Sequence, residues 1–160
     1  MRAFAILGAL AVVACAPPQP ETPSLAALVN AEEDQALPNP VLYFEIPVTD
    51  MDRAIAFYQA VFGYDFTRET IDGYDMALFP FSEGGPGATG ALAKGDVYVP
   101  SLVGPIIYFR VETIDPVLTR AQAQGGEILY PKKDIGPLGF VAEIKDSEGN
   151  RIALSQTAAP

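Results

Sequence analysis

Few side chains in this chain can do chemistry, and the most suggestive ones sit in two apolar runs. In Val41 to Val48 a single carboxylate, Glu45, interrupts β-branched and aromatic residues, and in Pro105 to Val111 Tyr108 and Arg110 do the same. Side chains alternate across a strand, so Tyr43, Glu45 and Pro47 share one face and Ile106, Tyr108 and Arg110 share another. If those faces meet, Glu45, Tyr108 and Arg110 converge. Glu45 and Arg110 can then form a buried ion pair that only satisfies two charges, the same groups can hydrogen-bond a ligand, or Glu45 can serve as a general base. A guanidinium neighbour would keep the carboxylate ionised, whereas an apolar wall would poise it for proton transfer. The sequence leaves all three open. Tyr74, Tyr98 and Phe140 are weaker candidates for a pocket wall, and Glu143 and Lys145 share a strand face.

Metal chemistry is poorly supplied. The chain has no histidine and one cysteine among 160 residues. Transition-metal sites lean on imidazole and thiolate, and an all-oxygen site needs several convergent carboxylates. The expectation is therefore no metal and no cofactor. Lys plus Arg number 10 against 20 Asp plus Glu, a net charge of -10, which argues against a nucleic-acid partner.

These residues need elements to position them. Val41 to Val48 reads as a strand that stops at Pro47. Thr49 or Asp50 caps a following helix, Asp52 suits its first turn, and Met51, Ile55, Tyr58 and Phe62 form an apolar stripe up to a stop at Gly63. One strand and one amphipathic helix cannot bury both faces, so further strands must follow. Sliding the chain by 63 residues places Val48 on Val111, Asp52 on Asp115, Gly63 on Gly126 and Ala91-Leu92 on Leu154-Ser155. Each half then reads strand, helix and three strands. In the first half these are Tyr64 to Thr70, Tyr74 to Phe79 and about Ala88 to Ala93, with Asp72-Gly73 as a hairpin turn. In the second they are Glu127 to Tyr130, Gly139 to Lys145 and Arg151 to Ser155, with a turn at Glu148-Gly149-Asn150. Ser82 to Gly87 and Lys132-Lys133-Asp134 read as loops, and Asp146 and Asn150 as turn formers.

The amino terminus is of another kind. Met1-Arg2 precedes a charge-free apolar run, Ala3 to Ala14, too short for an ordinary membrane span of roughly 20 residues, so an export signal over residues 1–14 is expected. Val12-Val13-Ala14-Cys15 resembles the lipobox of bacterial lipoproteins, which implies cleavage before Cys15 and lipidation of its thiol. Ala16 after it resembles lipoproteins sent to the outer membrane, so the expected location is the bacterial envelope, lipid-anchored and facing the periplasm. Residues 15–38, rich in proline and acids, then form a tether to a domain at 39–157, with modules at about 39–95 and 104–157.

FEIPVTDMDRAIAFYQAVFG and DSEGNRIAL are similar to the recurring strand–helix and turn–strand patterns of the vicinal oxygen chelate superfamily, which includes glyoxalase I, extradiol dioxygenases and bleomycin-resistance proteins. The likeness spans about residues 39 to 156. It implies an α+β fold in which two βαβββ modules pair into an open, cup-shaped mixed sheet, with homodimers common. It also implies coordinating positions on the first and last strands of each module, here Tyr43, Ile106, Ala153 and, through the 63-residue slide, Gly90. None of these is His, Glu or Gln. The resemblance thus implies a small organic molecule held in a metal-free cup by Tyr43, Glu45, Tyr108 and Arg110. The alternative is a lyase, isomerase or dioxygenase with Glu45 as base, with or without a divalent metal. A structural or envelope-interaction module is a third possibility.

Overall fold

The computed structural model describes residues 40–82, 85 and 87–158, so the expected signal, Cys15 and the tether lie outside the described residues. The first module comprises β1 (Tyr43–Pro47), α1 (Met51–Phe62), β2 (Thr67–Ile71), β3 (Tyr74–Leu78) and β4 (Thr89–Lys94). The second comprises β5 (Ile107–Arg110), α2 (Ile114–Ala123), β6 (Glu127–Asp134), β7 (Phe140–Lys145) and β8 (Arg151–Gln156), with a 3-10 turn at Gly136–Leu138. This is the α+β arrangement of two βαβββ modules expected from the sequence.

Each module folds its strands in the same order, β1-β4-β3-β2 and β5-β8-β7-β6. The first and last strands of a module are parallel neighbours and the other pairings are antiparallel. The two sheets are separate hydrogen-bonded units whose facing edges, β1 and β5, meet through side chains. Phe44 near the start of β1 lies against Phe109 near the end of β5, with ring centroids 6.0 Å apart. At the other end, the Pro47 carbonyl accepts a bond from Asn150 Nδ2, two residues before Ile152, the β8 partner of the first residue of β5. The two edge strands therefore run head to tail.

A single core joins the modules. Ile46, Tyr58 and Leu92 from one half and Ile114, Ile144 and Leu154 from the other belong to one buried cluster, and the two helices pack against each other. Burying a large apolar side chain contributes roughly 1.5–3 kcal/mol, so this shared core is the main force holding the halves together. The opposite face of the first sheet carries a smaller cluster of Met76, Ala91 and Ala93, flanked by Tyr74, Leu78 and Tyr98.

α1 starts where Asp50 accepts a bond from the Arg53 amide at 3.0 Å and ends at Gly63, whose φ of 76° is left-handed. Its buried face is Met51, Ala54, Phe57, Tyr58 and Val61, so the stripe is rotated from the expected one, and Ile55 and Phe62 are only partly buried. The rotation follows from α1 packing on α2 as well as on its own sheet. In the β2–β3 hairpin, Asp72 and Gly73 have φ of 50° and 81°, the pair of positive angles that a two-residue type I′ turn requires.

Three expectations change in the second module. α2 stops at Gln124 and the left-handed residue is Gly125, with φ 83°, in place of Gly126. β6 is twice as long as expected and takes in Lys132, Lys133 and Asp134, which read as a loop, along with Pro131. The proline is tolerated because β6 is an edge strand, and register shifts on either side of Tyr130 absorb it. The third change is register: Ala153 pairs with Tyr108 in the second module, and its counterpart opposite Glu45 is Ala91. The slide is 63 residues at the first strands but 62 at the last ones, because the connections between them differ in length.

Candidate functional site

β1 sends Phe44 and Ile46 into the core and Tyr43 and Glu45 to the opposite face. β5 does the same with Ile107 and Phe109 against Tyr108 and Arg110. The strand alternation expected from the sequence is therefore present on both edges. The change of register moves one of the four coordinating positions. Gly90 lies opposite Phe44 on the core face, where an added Cβ would stand 2.2 Å from the Phe44 carbonyl oxygen. The set on the outer face becomes Tyr43, Ala91, Ile106 and Ala153, three apolar side chains and a phenol. Among the described residues no three His, Cys, Asp or Glu come together as they would around an ion. This donor set does not fit the divalent metal of the catalytic members of the resembling family.

Glu45 does not pair with Arg110. Its Oε2 accepts a bond from the Tyr98 hydroxyl at 2.9 Å, and Tyr98 comes from the connection between the modules. That bond, with burial and the Glu45 charge behind it, raises the Tyr98 pKa above its usual value. Tyr43 is raised as well, by burial first and then by the Glu45 charge. Tyr98 meets Tyr74 edge to face at 5.3 Å, and the negative charge of Asp96 raises the Tyr74 pKa. The convergence of Glu45 with Arg110, and with it the ion-pair reading, fails because β1 and β5 run head to tail, so residues at the same depth in the two strands are displaced along the edge.

Glu45 and Arg110 in fact line different clefts. Glu45 borders one of about 270 Å³ with Val99, Ser101 and Arg151. Tyr108 and Arg110 border another of about 500 Å³ with Tyr64, Phe79 and Ser155. The structure thus brings Tyr108 and Arg110 together and leaves Glu45 apart, while Tyr43 is 41% exposed on the open face. Of the weaker candidates, Phe140 lies under Lys132 Nζ at 4.8 Å, Glu143 is held by Arg151, and Lys145 is bonded to Glu127.

Reading the sequence missed a second constellation, the clamp between the modules. Asp146 Oδ1 accepts the amides of Glu148, Gly149 and Asn150, which makes the expected turn. Its other oxygen accepts the hydroxyl of fully buried Tyr58 at 2.9 Å, and burial, followed by this carboxylate, raises the Tyr58 pKa well above its ordinary value. Glu148 crosses to the other module, where it accepts the Thr49 amide and hydroxyl, the Asp50 amide and two Arg53 nitrogens. Burial alone would raise the Glu148 pKa, but the Arg53 and backbone bonds outweigh it and bring it from 4.5 to about 2. Asn150 does more than form a turn, since it also bonds the Ser101 amide and the Pro47 carbonyl.

The Glyoxalase/Bleomycin resistance protein/Dioxygenase superfamily model matches residues 41–154. The chain is 28% identical over 133 residues to the protein named Putative glyoxylase CFP32 of Mycobacterium bovis, covering 79% of this chain and 48% of that protein. It therefore spans about half the length of the curated relatives it matches. Among solved structures it is similar to a glyoxalase I variant from Zea mays, with a TM-score of 0.59, 20% identity, and 74% of this chain and 46% of that one covered. It is also similar to TnmS3, an antibiotic binding protein from Streptomyces sp. CB03234, with a TM-score of 0.54, 24% identity, and coverage of 75% and 97%. At these identities the structural likeness speaks for the fold alone.

Proposed function

Because the chain belongs to the glyoxalase/bleomycin resistance protein/dioxygenase superfamily, we propose that it is a small-molecule-binding domain that works without a metal ion. One observation carries the reading: the strand positions Tyr43, Ala91, Ile106 and Ala153 offer no carboxylate or imidazole. Groups suited to organic ligands stand in the clefts on either side, Glu45 in one and Tyr108 with the Arg110 guanidinium in the other, and the Tyr43 phenol is exposed on the open face. TnmS3 is an antibiotic binding protein on the same fold, so binding of a small organic molecule has a precedent there. In this reading the domain is exported and lipid-anchored through Cys15, with its cup in the periplasm.

A ligand that binds only the folded state at 100 times its Kd adds about 2.7 kcal/mol. That amounts to several degrees of melting temperature for a domain of this size. Zinc, nickel and manganese at millimolar concentration are expected to leave the melting temperature within about 1 °C of the chelator-treated protein. A rise of several degrees with any of them would overturn the metal-free reading.

A further inference from the structure

We propose that the cleft bordered by Arg110 takes a planar aromatic molecule carrying a single carboxylate; the proposal rests on the metal-free binding reading. Five arginines lie among the described residues, and four of them are engaged. Arg53 bonds Glu148, Arg68 bonds Asp52 and Asp75, Arg120 bonds the Val61 carbonyl, and Arg151 bonds Glu143. Arg110 is exposed and has no ion pair among the described residues, in a chain whose acids outnumber its bases two to one. A guanidinium presents a rigid fork that matches a carboxylate with two parallel bonds.

The wall beside Arg110 is aromatic. Phe44, Phe79, Phe109 and Tyr64 line the 500 Å³ cleft, and Tyr108, 54% exposed, stands at its border. That volume suits a drug-sized ligand, and stacked or edge-on rings are the favourable contacts such a wall offers a flat molecule. Tyr64 and Arg110 also border an adjoining groove of about 380 Å³, where the second guanidinium, Arg120, is already turned to a backbone carbonyl and Glu112 is the bordering carboxylate. One available cation next to one carboxylate selects a single negative charge, because a second would meet Glu112. None of Tyr43, Ala91, Ile106 and Ala153 borders this cleft, and Tyr108 at its border, the strand partner of Ala153, is its link to the coordinating positions.

The test is a ¹⁵N-resolved titration of the full-length protein with 2-naphthoate, 2-naphthamide and 2-naphthylmethylammonium. Naphthoate is expected to shift the amides of Tyr64, Arg110 and Ser155 and to bind about tenfold or more tightly than the amide. Arg110→Gln is expected to abolish that preference without altering the melting temperature, and Arg110→Lys to restore only part of it. Equal binding of acid and amide, or an unchanged preference in Arg110→Gln, would overturn the proposal. Ammonium binding with shifts at Tyr43, Glu45 and Tyr98 would overturn it too, while leaving the metal-free binding reading intact. If no probe binds, the proposal falls, and the divalent-ion melting test still decides the parent reading.

Discussion

Glu148 shows how much a single side chain can carry. Its side chain is 0% exposed, yet it is charged, and the charge is tolerated because two backbone amides, a hydroxyl and a guanidinium converge on it. Glu148→Ala leaves the Thr49 and Asp50 amides without their acceptor. A loss of about 2 kcal/mol or more is expected, seen as a fall in melting temperature of roughly 6–10 °C. The same group sets an acid limit. Its folded pKa of about 2 lies below the unfolded 4.5, so its contribution is complete above pH 4.5 and drains away as the pH falls toward 2. Melting curves of the parent protein should drop across that window more steeply than those of Glu148→Gln, and parallel curves would refute the clamp. The DSEGN stretch announces its own turn, since the bonds to Asp146 are local. The partners of Glu148 are not legible, because Thr49 is 99 residues away in the chain. The Glu45–Tyr98 bond escaped for the same reason, since Tyr98 is 53 positions away and lies in a connection that carries no periodic signal.

At the scale of elements, periodicity and caps located α1, the Asp72-Gly73 hairpin and all eight strands to within a few residues, except β6. What they could not locate was register. A one-residue difference between the halves moves a side chain from one sheet face to the other, and it arises in connections whose lengths no local pattern constrains. Gly90 makes the register testable. Its absent Cβ is what lets β4 approach β1, and an added methyl would sit 2.2 Å from the Phe44 carbonyl, an atom of backbone that cannot swing aside. Gly90→Ala is expected to cost about 3 kcal/mol in urea unfolding. An unchanged midpoint would mean that β1 and β4 are not paired as described.

At the scale of the molecule, the duplicated pattern and the family were legible, whereas the meeting of the modules was not. The shared core and the clamp turn two half-buried sheets into one folded unit, and the clefts at the two ends of the β1–β5 seam differ because Glu45 stands near one and Arg110 near the other. Attachment to a membrane belongs to the same scale. Among the described residues no helix is long and apolar enough to cross a bilayer, and the proposed anchor rests on the lipobox resemblance at Val12-Val13-Ala14-Cys15. Cys15→Ser expressed in a bacterial host is expected to shift the protein from the membrane pellet to the soluble fraction. Equal partitioning of the two forms would remove the anchor.

The clamp is also one-sided. The chain entering α1 is held by Glu148 from the other half, in addition to the Asp50 cap of its own half, whereas the first amide of α2 is bonded by Gln156 from its own strand β8. Severing the chain in the connection between the halves would therefore yield unequal pieces: the carboxyl-terminal fragment keeps every bond at its helix start, and the amino-terminal one keeps Asp50 but must borrow the acceptor of its Thr49 and Asp50 amides from its sibling.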